Sequence, residues 1–354
     1  MPLPFLRLPH LAFESVYRHW GNLDLIMLSA CSKRMRTIVR SMEKNRGQTL
    51  EVSVEKDHSF LKVMSMKKKP VFTWKICLGN SPYQNAEEWR IDISIEGRSW
   101  KIEEDESLYF DEWLCYSEPD HIDRDTLFFV RFFQEVFHCS IDEITVGVFR
   151  ENSIETLFLG SSILHTAREI YIDLTKLSSS DVNFVFENLN TESLKFFGYS
   201  EELETYNYQK PVLRFPKIAI HLAQWITAAY FMEMAETCKE IILSTAFRIT
   251  DHDYNRFLKT WLAGTNETLE KVEIRRDPIY CLKSRPKYVP FERDTIFDDL
   301  EYTVMGNEPH RPIPGLTRIE VKIKRSDGKL ARVIVHENTL GDRGYGEFEF
   351  IVVK

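Results

Sequence analysis

The sequence lacks most of what a catalyst, a secreted protein or a membrane protein needs. Its six cysteines, Cys31, Cys77, Cys115, Cys139, Cys238 and Cys281, are scattered through 354 residues with no C-x-x-C pair. That usage points to reduced thiols in an intracellular protein, cytoplasmic or nuclear. Prolines at Pro2, Pro4 and Pro9, with Arg7 between them, leave neither the basic flank nor the unbroken apolar stretch of a signal peptide. The most apolar later run, Ile218 to Ala235, is interrupted by His221, Gln224, Thr227 and Glu233 and is too polar to span a bilayer.

Ten histidines occur without H-x-x-x-H or H-E-x-x-H spacing, and there is no Walker loop, no G-x-G-x-x-G and no G-x-S-x-G. GDRGYG, Gly341 to Gly346, lies between strand patterns with no helix behind it, so its glycines read as a turn. These absences disfavour an enzyme and imply no cofactor and no metal. TDHD, Thr250 to Asp253, is the most metal-like cluster, but neighbouring side chains on a helix diverge. Thr250 and Asp253 instead have the spacing of a capping box, as do Ser178 and Asp181.

Positive charge is also scarce, 46 Lys and Arg against 54 Asp and Glu for a net charge of −8. The first fifty residues nevertheless carry +5, which leaves −13 for the rest. A body of that sign repels phosphate backbones, so nucleic acid is a poor partner except for the N-terminal block.

What is present is a folded composition, 43% hydrophobic and 13% aromatic, with 24 phenylalanines. Such a chain buries enough apolar surface to offset ordering entropy, and its length suggests two or three domains. Residues 1–46 pattern as three short helices: His10 to Trp20, then one capped by Asn22 and running through Ser29, then one capped by Ser32 and running to about Glu43. From 47 to 120 the period is two, with Trp74, Ile76 and Leu78, then Ile91, Ile93 and Ile95, alternating with polar residues as in a small antiparallel sheet. Phe129, Phe132, Phe133, Val136 and Phe137 then stripe a core helix.

Between 121 and 275, strand starts near Glu143, Glu169, Leu194, Lys217, Glu240 and Leu269 fall 23 to 29 residues apart. The spacing suggests a leucine-rich-repeat-like β/α array, in which each unit buries its apolar face on its neighbours. A proline-rich irregular segment, 276–315, precedes C-terminal antiparallel strands over 316–354, with Ile319, Val321 and Ile323 facing Val333 and Val335 across Asp327-Gly328. The expected fold class is thus multidomain α+β.

The N-terminal block is too small to hide its own apolar residues. Leu8, Phe13, Val16, Leu25, Ile26 and Leu28 exceed what three short helices can cover, a surplus that marks a protein interface. Its third helix carries Lys33, Arg34, Arg36 and Arg40, which would suit a DNA-binding regulator, but the apolar surplus favours protein docking.

This block resembles an F-box. Leu8-Pro9 opens it, Val16 and Trp20 run down the first helix, Leu23-Asp24-Leu25-Ile26 leads to Leu28-Ser29 in the second, and Cys31-Ser32-Lys33 precedes the third. Further on, NFVFENLNTESL (Asn183 to Leu194), the Ile218 to Thr227 pattern and ITDHDYNRFLKTWLAGTNETLEKVEI (Ile249 to Ile274) are similar to the type 2 F-box-associated domain over about 180–275. The two resemblances imply a substrate receptor of an SCF-type ubiquitin ligase. It would bind a Skp-family adaptor, and through it a cullin-RING ligase, with Leu8, Pro9, Phe13, Val16, Leu25, Ile26 and Leu28 facing the adaptor. The C-terminal region would hold a protein target that no motif names. The alternative is a scaffold or sensor that binds the adaptor alone.

Overall fold

The computed structural model describes residues 15, 19–41, 47–55, 57–78, 90–96, 98–104, 112–118, 121–147, 154, 158, 164–198, 200, 202–203, 215–264, 266–276, 289–307, 316–338 and 344–353. The chain divides into two compact units, Met1–Arg168 and Glu169–Lys354.

The first unit begins with two helices, α1 (Asn22–Cys31) and α2 (Lys33–Arg40). Strands β1 (Thr49–Val54), β2 (His58–Met64), β3 (Pro70–Leu78), β4 (Arg90–Ile95), β5 (Arg98–Glu104) and β6 (Glu112–Ser117) follow, then α3 (Ile122–Phe137) and β7 (Ser140–Val146). The sheet order is β7-β1-β2-β3-β6-β5-β4. β1 is parallel to β7 and β3 is parallel to β6; the other pairs are antiparallel.

Helix α3 holds this sheet through its phenylalanine stripe. Phe133 and Phe137 meet Phe72 at centroid distances of 5.4 and 5.1 Å, and Phe129 lies 5.1 Å from Trp74 and 4.8 Å from Trp100. Phe129, Phe133 and Phe137 are wholly buried, each contributing about 1.5–3 kcal/mol of transfer free energy. The αL conformation of His138 ends the helix and turns the chain into β7.

The second unit has nine described strands: β8 (Glu169–Asp173), β9 (Ser193–Phe197), β10 (Lys217–Ile220), β11 (Glu240–Ser244), β12 (Lys271–Arg276), β13 (Thr303–Asn307), β14 (Leu316–Lys324), β15 (Leu330–Asn338) and β16 (Tyr345–Val353). Helices α4 (Ser179–Asn188), α5 (Ala228–Thr237), α6 (Asp251–Leu262) and the single turn α7 (Arg293–Ile296) intervene. β8 to β12 run parallel in sequence order, then β16, β15, β14 and β13 follow β12 antiparallel.

The architecture overturns the expected fold class. The described residues form sixteen strands against seven α-helices, joined in mixed sheets. They do not form a three-helix bundle followed by a small antiparallel region, a leucine-rich-repeat-like array and separate C-terminal strands. The region expected to be antiparallel contains the parallel pair β3–β6, and β1 is completed by β7 from beyond α3. The expected repeat does not propagate, because β16 returns antiparallel to β12 and closes the parallel ladder, so β14, β15 and β16 belong to the same sheet as β12. The physical reason is that a strand must satisfy its backbone N–H and C=O groups on both sides, whatever the sequence distance of the partner. Alternating burial marks a strand but carries neither its partner nor its direction. The expected first helix, His10 to Trp20, lies largely outside the described residues. No described helix is long and apolar enough to cross a membrane.

Candidate docking faces

The α1–α2 pair folds for local reasons. The Asp24 carboxylate accepts the Gly21 N–H at 2.9 Å, so Gly21, not Asn22, is the cap of α1. Asn22 instead donates its side-chain amide to the Val71 carbonyl at 3.2 Å, tethering α1 to β3. Ser32 caps α2 as expected, its hydroxyl accepting the Met35 N–H at 3.2 Å.

Of the seven residues expected to face an adaptor, Leu8, Pro9, Phe13 and Val16 lie outside the described residues. Leu25 and Ile26 are fully buried and Leu28 is half-buried. The apolar surplus read from the block in isolation is therefore covered in part by this chain, since α1 packs on α2, α3 and β4. On α2, Met35 and Val39 point inward, while Lys33, Arg34 and Arg40 are exposed. Arg36 breaks the basic stripe: its guanidinium bonds Glu96 at 3.0 Å and Glu135 at 2.8 Å and lies 4.9 Å above the Phe132 ring.

The second unit builds a different surface. Along β8 to β12 alternate residues turn to opposite sides. Ile170, Leu194, Ile218, Ile241 and Val272 belong to the buried side. There Phe186 of α4 meets Phe196, and Tyr254, Phe257 and Trp261 of α6 meet Phe348 and Phe350. Two capping boxes set these helices: Ser178 bonds Asp181 at 2.6 Å, and Thr250 bonds Asp253 at 2.6 Å. The TDHD cluster thus serves as a helix start, with Asp253 spent on the cap and Asp251 bonded to Arg276. No group of three or more His, Cys, Asp or Glu residues able to hold a metal is found among the described residues.

The opposite side of the same strands is a ladder of charges. Lys195 bonds Glu169 at 3.0 Å and the Tyr171 hydroxyl, Lys217 faces Glu240 at 3.7 Å, and Lys271 bonds Glu273 at 2.8 Å. Arg275 reaches Glu273 at 2.6 Å and Glu347 at 3.4 Å. Desolvation works against the charges of Lys195 and Lys271, but hydrogen bonds to Tyr171 and Glu169, and to Glu273, outweigh it and raise both ammonium pKa values. Glu273 is held low for the matching reason: burial opposes its charge, and Lys271 and Arg275 win.

The more open of these pairs contribute about 0–1 kcal/mol each, so the ladder is a weak stabiliser away from Glu273, whose side chain is only 10% exposed between Lys271 and Arg275. What it can do chemically is recognise. Apart from the buried Glu273, these side chains are partly open to solvent, with both signs in a fixed register, and exchange partners with a complementary protein surface at small cost, which favours specificity over raw affinity. Sequence reading located these strands but missed the ladder, because Lys217, Glu240 and Lys271 become neighbours only through strand register.

Residues 212–274 match a family described as F-box associated. The matched segment contains β10, α5, β11, α6 and most of β12, and so contributes the Lys217–Glu240 and Lys271–Glu273 steps of the ladder. No curated protein matches the chain. The three parallel strands and two helices of this segment, which carry part of the charged face, are similar to an F-box-associated domain.

Proposed function

We propose that the chain is the substrate-recognition subunit of an SCF-type cullin-RING ubiquitin ligase. Its N-terminal block binds a Skp-family adaptor, and its second unit binds the protein target. The observation that carries this reading is the F-box-associated region at 212–274, in a chain whose residues Leu8 to Lys33 have the order and spacing of F-box motifs. The charge ladder of β8 to β12 supports a docking role for the second unit. The chain performs no bond chemistry on this reading; it raises the effective concentration of a target lysine near the ubiquitin-charged enzyme. The ion-paired, inward position of Arg36 weighs against a DNA-reading α2.

The test is proximity labelling in cells under proteasome inhibition, comparing the full chain with a form lacking residues 1–46. The expected result is a set of proteins enriched on the shortened form, because targets are held but not released for degradation, and stabilised when the chain is depleted. Identical labelling by both forms, with no protein stabilised on depletion, would overturn the proposal.

A further inference from the structure

Outside the F-box-associated region, the first unit contains a cleft of about 410 Å³ between α2, α3 and the β4–β5 turn. Its α3 wall is a single helical stripe. Arg124, Phe128, Arg131 and Glu135 recur at i, i+4, i+7 and i+11, which places cation, aromatic ring, cation and carboxylate in line. Arg36 enters from α2, and Glu96 and Arg98 enter from the turn.

The charges in this cleft do not cancel. Arg36 is ion-paired with Glu96 and Glu135 through Nη1, while its Nε is buried with no hydrogen-bond partner among the described residues. Asp125 lies beneath, 5% exposed, and already accepts from Ser117 at 2.7 Å and Trp100 at 3.2 Å. Arg98 and Arg124 each stand 3.7 Å from that same carboxylate, too far for a good hydrogen bond. The Nη1 atom of Arg98 is buried with no hydrogen-bond partner among the described residues. Arg131, exposed, has no carboxylate partner among them either. Among the described residues four guanidinium groups therefore meet three carboxylates, and the surplus positive charge resides on Arg131, with Arg98 under-satisfied in the same cleft. In a chain of net charge −8 such a surplus is local and specific.

The exposed Arg131 and the open part of Arg98, whose side chain is 41% exposed, offer guanidinium nitrogens to one anionic oxygen pair, the geometry for which arginine is suited. The half-buried Leu127 and Phe128 provide an apolar shelf next to it, with the Arg98 guanidinium 5.2 Å above the Phe128 ring. One negative charge restores neutrality, whereas a phosphate dianion would leave the cleft negative beside Glu96 and Glu135.

We infer that this cleft docks an acidic segment of a partner protein, seating one Asp or Glu carboxylate on Arg131 and Arg98 and a neighbouring apolar side chain on Leu127 and Phe128. The site lies in the first unit and does not depend on adaptor binding, so it stands or falls separately from the ligase reading.

The experiment is fluorescence anisotropy of the full chain with three labelled peptide pools that share degenerate Gly/Ser/Ala flanks and differ at the centre: Leu-Glu-Leu, Leu-Gln-Leu and Leu-phosphoserine-Leu. The glutamate pool binds about tenfold more tightly than the glutamine pool, one charge-assisted hydrogen bond's difference, and weakens as salt rises. Arg131→Gln removes that preference with the melting temperature unchanged, and Arg131→Lys restores part of it. Equal binding of the glutamate and glutamine pools, preference for phosphoserine, or an Arg131→Gln variant that binds like the parent would each overturn the inference.

Discussion

Arg276 donates to the Asp251 carboxylate across 2.8 Å, tying the end of β12 to the first turn of α6. The same guanidinium bonds the Ile249 carbonyl at 3.0 Å and lies 4.3 Å from the Phe291 ring and 5.3 Å from the Tyr254 ring. Asp251 in turn accepts the Glu292 N–H at 3.1 Å. One ion pair, its side chains only 6% and 12% exposed, thus joins the matched segment to the chain that follows it.

That pair yields the first prediction. Arg276→Met leaves Asp251 charged and under-paired in a largely buried position, at a cost of about 3–5 kcal/mol. Adding Asp251→Asn removes the orphaned charge, so the double variant is more stable than the sum of the singles implies. Chemical denaturation of the four proteins of the cycle measures this; additive losses would show that the two residues act independently.

The second concerns the N-terminal pair. Leu25→Ala and Ile26→Ala each open a cavity at a wholly buried site and cost about 2–5 kcal/mol, seen as a lowered melting temperature. Loss of partner binding in either variant would therefore report unfolding of α1 as much as lost contact. Leu8 and Pro9 are the positions at which adaptor binding is to be tested.

The third is a pH profile with two flanks. Glu273 has a folded-state pKa below its ordinary value of 4.5, so its contribution is full above that value and is lost as pH falls through the lowered one. Lys195 and Lys271 have folded-state values raised above 10.5, so their contributions are full below 10.5 and are lost as pH rises through the raised values. Melting temperature plotted against pH should fall at both ends. Glu273→Gln flattens the acid flank and Lys195→Met the alkaline one; unchanged flanks in these variants would remove the ladder from the account.

The fourth concerns the thiols. Burial pushes Cys139 up to about 12 and Cys238 to about 11, while Cys31 is exposed. Iodoacetamide at mildly alkaline pH should label Cys31 in the native protein and reach Cys139 and Cys238 only after denaturation, as read by peptide mass spectrometry. Equal native rates would contradict the burial of Cys139, just before β7, and of Cys238, just after α5.

The parts of this fold legible in the sequence are those decided within a few residues. Ser178 with Asp181 and Thr250 with Asp253 are capping boxes because the bonds close over three residues. The Asp327-Gly328 turn is legible because Gly328, at φ 91°, takes a backbone conformation that other residues resist. Parallel pairing of Thr49 with Ser140, or antiparallel pairing of Lys271 with Ile351, leaves no such local mark. The docking surfaces divide the same way. The F-box-associated segment is legible as a motif, but the burial of Leu25 and Ile26 is not, because the elements that cover them come from β4 and α3. The Arg36–Glu96–Glu135 cluster gathers side chains up to 99 residues apart, and only the tertiary fold brings them together.

The most direct measurement of the ligase reading is size-exclusion co-elution of the purified full chain with a Skp-family adaptor and the adaptor-binding part of a cullin. The account expects one stoichiometric ternary peak, abolished by Leu8→Asp with Pro9→Ala. A chain that elutes apart from the adaptor, or that retains both partners in the Leu8→Asp, Pro9→Ala variant, would contradict it. A stable pair with the adaptor from which cullin is excluded would replace the ligase subunit with a scaffold.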